Sequence, residues 1–115
     1  MNFRTAFVAA GICLATSTAF AQSTARVDDR QANQAARIEQ GKASGELTPR
    51  EAARLQRGQR HVQRMENRAL ADGRVTGAER ARIEGAQDAQ SARIARQKHD
   101  RHHDFNHNGR VDRRR

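Results

Sequence analysis

From residue 22 onward the large apolar side chains are few and widely spaced: Val27, Ile38, Leu47, Leu55, Val62, Met65, Leu70, Val75, Ile83, Ile94, Phe105 and Val111. Their spacing is helical, not alternating. Ala52, Leu55, Val62, Met65 and Ala69 recur at the intervals that line one face of an amphipathic helix. Ile83, Gln87, Gln90 and Ile94 form a second stripe in which glutamines hold half the seam. Ala, Arg and Gln fill the intervals, and all three are good helix formers. The pattern predicts helices over about residues 28–43, 49–71 and 77–103.

The punctuation between them repeats. Ser44-Gly45-Glu46-Leu47-Thr48-Pro49-Arg50-Glu51 aligns with Asp72-Gly73-Arg74-Val75-Thr76-Gly77-Ala78-Glu79. Gly45 and Gly73 suit the left-handed position after a helix C-terminus. Thr48 and Thr76 read as N-caps, with Glu51 and Glu79 at N3 to complete capping boxes. Pro49 falls at N1, where its missing N–H costs nothing. Short turns between long helices give an all-α fold with an antiparallel three-helix arrangement; a helical hairpin with a frayed first helix is the alternative. So few large apolar residues beside a net charge of +9 approach the composition of disordered chains. The expected helices form readily but share a thin core.

Residues 1–21 read as a signal peptide. Arg4 precedes an uncharged stretch from Thr5 to Phe20, and Ala19-Phe20-Ala21 places small residues at −3 and −1 of a cleavage site before Gln22. The stretch is short for a span of roughly 20 apolar residues. Ile12 before Cys13 is too large for a lipoprotein signal. A periplasmic or secreted protein is therefore expected, with no transmembrane segment after cleavage. Residues 22–27 are expected to be disordered, 28–103 to form the helical domain, and 104–115 to form a loop and a disordered basic tail. Cleavage would remove Cys13, the sole cysteine, and with it disulfides, thiol chemistry and cysteine zinc sites.

Composition narrows the function. With no Trp, no Tyr and few large apolar residues, the chain cannot line a deep apolar pocket. No nucleophile–base pair or carboxylate pair in an apolar setting is visible, so an enzyme is not expected. The basic charge suits anionic envelope components, whereas nucleic acid is disfavoured because base-stacking aromatics are missing.

One stretch carries a defined ligand constellation. Asp104-Phe105-Asn106-His107-Asn108-Gly109-Arg110-Val111-Asp112 resembles the EF-hand loop pattern D-x-N-x-N-G-x-[ILV]-D. The resemblance implies side-chain oxygens from Asp104, Asn106 and Asn108, a sharp turn at Gly109, the Arg110 carbonyl, and Asp112 direct or through water, together suited to Ca²⁺. It departs from the pattern at position 12, where Arg115 replaces the bidentate Glu. The two inter-helix turns keep only the later half of the same grammar, and their early positions fall on Gln40, Lys42 and Ser44, and on Arg68, Leu70 and Asp72. They read as structural turns. An up-down-up bundle brings the first turn and the C-terminal loop to one end, where residues 45–47 are expected to pair with 109–111.

A histidine cluster offers a competing site. If the third helix continues, His99 and His103 stand one turn apart and suit Zn²⁺, Cu²⁺ or Ni²⁺. A helix carried through His107 would abolish the loop from Asp104, so the two readings exclude each other.

Glu46-Leu47-Thr48-Pro49-Arg50-Glu51 resembles the L-T-x-x-Q motif of the Spy/CpxP-type periplasmic stress proteins, with Glu51 in place of Gln. That resemblance implies a cofactor-free chaperone for unfolded periplasmic proteins. The whole architecture also resembles small secreted helical proteins of Gram-negative bacteria with degenerate EF-hand-like loops. The leading expectation is a non-enzymatic binding protein that takes a divalent cation through its C-terminal segment.

Overall fold

The computed structural model describes residues 17–112. Three helices occur among them: α1 (Ser17–Ser44), α2 (Pro49–Leu70) and α3 (Gly77–Lys98). Cross-helix contacts set their directions. Gln56 meets Glu39 while Glu66 meets Gln31, so α1 and α2 are antiparallel. Gln90 bonds the Leu55 carbonyl while Leu70 and Ile83 line one hollow, so α2 and α3 are antiparallel as well. The all-α, three-helix reading holds.

Both turns are built as the repeated unit dictates. Gly45 and Gly73 take φ of 76° and 74°, the left-handed region that glycine enters without steric cost. Thr48 and Glu51 close a full capping box: the Thr48 N–H donates to Glu51 Oε2 at 3.0 Å and the Glu51 N–H to Thr48 Oγ1 at 3.4 Å. Thr76 and Glu79 repeat it at 2.9 and 3.2 Å. The first box is buried and the second is largely open to solvent, because the C-terminal segment folds over the first turn alone.

The core is thin and divided along its length. Ile38, Leu47, Ala52, Leu55 and Ile94 form one buried apolar cluster near the first turn. Further along, the seam is mixed: Gln34, Gln87, Gln90 and Glu66 are buried beside Val62, Ala69 and Ile83. The glutamines survive there by bonding helix carbonyls, which retain a second lone pair. Gln90 Nε2 donates to the Leu55 carbonyl at 2.7 Å, Gln34 Nε2 to Gln87 O at 3.0 Å, and Gln87 Nε2 to Val27 O at 3.3 Å. Gly58 makes room for the first of these, since a Cβ at that position would run into the Gln90 amide.

Two expectations about helix ends are corrected. Residues 22–27, expected to be disordered, lie inside α1. Nothing between Ser17 and Gln40 is Gly or Pro, and the bond from Gln87 to Val27 O ties this part of α1 to α3. The helix thus runs through Ala21 and Gln22, while residues 1–16 of the expected signal peptide lie outside the described residues. At the other end α3 stops at Lys98 instead of His103. Asp100 Oδ1 accepts the His102 N–H at 2.8 Å, a local turn that competes with helix propagation. Among the described residues no helix is long and apolar enough to cross a membrane.

Candidate metal centre

The end of α3 and the first turn are fastened together before the C-terminal loop begins. Lys98 Nζ lies 3.2 Å from Glu46 Oε2, and that hydrogen-bonded ammonium holds the Glu46 carboxyl below the usual carboxylate range. Asp104 then donates its N–H to the Gly45 carbonyl at 2.8 Å. The approach is so close that a Cβ at Gly45 would fall 2.5 Å from the Asp104 carbonyl oxygen and 2.7 Å from Phe105 Cα.

From this anchor the loop folds around its own oxygens. Asp104 is 2% exposed; its Oδ1 accepts the Asn108 N–H at 2.9 Å and its Oδ2 the Gly109 N–H at 2.8 Å. Asn106 Oδ1 shares the Asn108 N–H at 3.1 Å, and Asn108 Oδ1 accepts from the Arg110 N–H at 2.8 Å. Asp112 reaches back, accepting from Phe105 N–H at 2.8 Å and Asn106 Nδ2 at 2.7 Å. Gly109 has φ 77° and His107 φ 57°, the turns that let consecutive Asx side chains face one way. An antiparallel bridge between His103 and Asp112 closes the ring, with Asp112 N–H to His103 O at 2.6 Å. Four oxygen-bearing side chains named from the sequence are thus joined in one network. A carboxylate offers about four acceptor sites, so Asp104 and Asp112 retain capacity for a hard cation. The disordered-tail reading covers Arg113 to Arg115, which lie outside the described residues.

The expected strand pairing is corrected. The first turn and the loop do meet, but at Gly45 and Asp104 and not between residues 45–47 and 109–111. Leu47 is buried in the core at 2% exposure, whereas Val111 is 47% exposed. The loop closes on itself through His103 and Asp112 and leaves no strand free for the turn.

The histidine pair is corrected too. His99 is the C-cap of α3, with φ −113°, so His99 and His103 do not stand one helical turn apart. His103 instead stacks on Phe105, ring centroids 4.8 Å apart. The fold assembles a different group: Glu51 from the first turn of α2, with Asp100 and His102 from the segment after α3, their ligand atoms all within 4.8 Å of one another. His102 Nδ1 lies 3.4 Å from Asp100 Oδ2 and 3.6 Å from Glu51 Oε1. Glu51 is 7% exposed and commits only Oε2 to its cap, which leaves Oε1 turned toward His102. In the sequence Glu51 reads as a capping residue and nothing more, because its neighbours here are about fifty positions away.

The chain matches no family model, no curated protein and no solved structure.

Proposed function

We propose that this is a secreted or periplasmic, non-enzymatic protein that binds a divalent cation through its C-terminal segment, with calcium in the loop of Asp104, Asn106, Asn108, Arg110 and Asp112. One observation carries the reading. The loop is folded around the Asp104 carboxylate by N–H bonds from its fifth and sixth positions, Asn108 and Gly109, which supports the reading of a loop ready to take a cation. Binding would then need little reorganisation, which lowers its entropic cost. Two carboxylates are a small charge count for calcium, which points to the 10⁻⁴–10⁻³ M range of extracellular modules.

Thermal melts with and without Ca²⁺ test it. Tenfold saturation should raise Tm by roughly 5–10 °C, and Asp104→Asn together with Asp112→Asn should abolish the rise. No change in Tm, and no Ca²⁺-dependent movement of the Gly109 amide resonance, would overturn the reading.

A transition metal at Glu51, Asp100 and His102 is the second reading, favoured by ligand spacing. Metal–ligand bonds of about 2.0–2.2 Å in a tetrahedron separate ligand atoms by roughly 3.3–3.6 Å. The two separations from His102 Nδ1, 3.4 and 3.6 Å, match that edge, and all three ligand atoms lie within 4.8 Å of one another. Zn²⁺ should stabilise the wild type but not His102→Ala, and Asp104→Asn should leave the Zn²⁺ effect intact. If His102→Ala responds to Zn²⁺ like the wild type, this second reading fails.

A further inference from the structure

Helix α2 contains two acidic residues, Glu51 and Glu66, and the fold turns both inward, to 7% and 4% exposure. Its remaining charges are all basic. At about 100° per residue, Arg50, Arg54, Arg57, His61, Arg64 and Arg68 fall within a wedge of about 80° that runs for about 27 Å. All six are exposed. Among the described residues none of the five arginines makes an ion pair. Like charges at three- and four-residue spacing repel, so the stripe works against the stability of its own helix.

Helix α3 supplies a second basic wall. Arg54 lines a groove with Arg93 and Arg96 over Leu55 and Gln90. Farther along, Arg68 and Arg82 line another with Met65, Ala69 and Ile83, and Glu79 lies at its edge.

We propose that this α2–α3 face binds a linear anionic polysaccharide, laid along the groove with its carboxylate or sulfate groups held by the guanidinium forks. The fit is one of charge and shape. Guanidinium presents a planar pair of donors that matches such groups, and α2 contains no lysine. A groove with arginines on both walls grips a chain from two sides, which a flat surface cannot exploit. The apolar stripe of α2 (Ala52, Leu55, Val62 and Ala69) is buried, so this helix has no face to sink into a lipid interface. Neither α2 nor α3 contains Phe, Tyr or Trp, so the groove has no stacking platform for bases.

The test uses the full chain in EDTA at physiological salt, which separates it from cation binding, with polygalacturonate as the probe. Wild type should bind with steep salt dependence. Arg54→Gln/Arg68→Gln/Arg93→Gln, which strips exposed groove-lining arginines from both walls, should lose about tenfold in affinity, with a shallower salt slope. Arg26→Gln/Arg74→Gln/Arg101→Gln removes the same charge from other exposed positions and should stay within about twofold of wild type. Equal weakening of the two variants would overturn the proposal, because bulk charge would then suffice. Tighter binding to anionic lipid vesicles or duplex DNA than to polygalacturonate would overturn it as well. Far-ultraviolet circular dichroism should be identical for all three proteins.

Discussion

The N–H of Asp104 donates to the carbonyl of Gly45 at 2.8 Å, and through that bond the C-terminal loop sits on the first inter-helix turn. Gly45 is required twice over. It holds φ 76°, and its missing side chain leaves the space that the Asp104–Phe105 backbone occupies.

Gly45→Ala should therefore do more than strain a turn. The left-handed conformation alone costs about 1–2 kcal/mol, and the collision with loop backbone adds to it. We expect a loss of about 2 kcal/mol or more, with faster hydrogen exchange at the Asn108 and Gly109 amides. The equivalent Gly73→Ala faces open space and should show the conformational cost alone.

The two capping boxes make a matched pair. Thr76→Ala should cost about 1 kcal/mol, the usual loss for a cap. Thr48→Ala should cost about 2 kcal/mol, because it also leaves the buried Glu51 Oε2 without the Thr48 hydroxyl that donates to it at 2.7 Å. Equal losses in denaturant titrations would refute this ordering.

Gly58 and Gln90 should be coupled. Gly58→Ala gains up to about 1 kcal/mol in helix propensity, yet it should destabilise by about 1–3 kcal/mol because the new methyl meets the Gln90 amide. In Gly58→Ala/Gln90→Ala the methyl has room, so the double variant should lose less than the sum of the singles. A double-mutant cycle reads this directly.

Glu66 gives a pH signature. Burial, reinforced by Asp28 across on α1, raises its carboxyl above the ordinary value, and the bond from Gln31 Nε2 offsets part of this. Arg80 and Glu84 of α3 line the hollow beside it. A carboxyl that holds its proton more tightly when folded contributes full stability below its unfolded pKa. That contribution is lost as pH rises through the folded value. Wild-type Tm should thus fall, relative to Glu66→Gln, as pH rises above the ordinary glutamate value of about 4.3; the Gln variant keeps an acceptor for Gln31. Parallel pH profiles for the two proteins would contradict the assignment.

The capping boxes, the left-handed turn glycines Gly45 and Gly73, and the Asp/Asn loop pattern were legible because each is written within a dozen consecutive residues. Their spacing alone sets which N–H meets which oxygen. The end of α3 was not legible, since helix propensity runs on through His99 and the halt comes from Asp100 bonding the His102 amide. The histidine pair failed with it. The Glu51, Asp100 and His102 group was invisible for another reason: it exists only where the first turn and the post-α3 segment touch.

By itself, then, the sequence determined the all-α class, the turn chemistry and the run of Asp and Asn side chains that fold the C-terminal loop, which are matters of local spacing and propensity. Tertiary structure alone decided where the acidic side chains of α2 go. Along the chain Glu51 and Glu66 are interspersed with the arginines of α2 and suggest a mixed, solvated surface. Packing takes both acids inside, one onto its cap and one against Gln31, and leaves an exposed face whose charges are all basic.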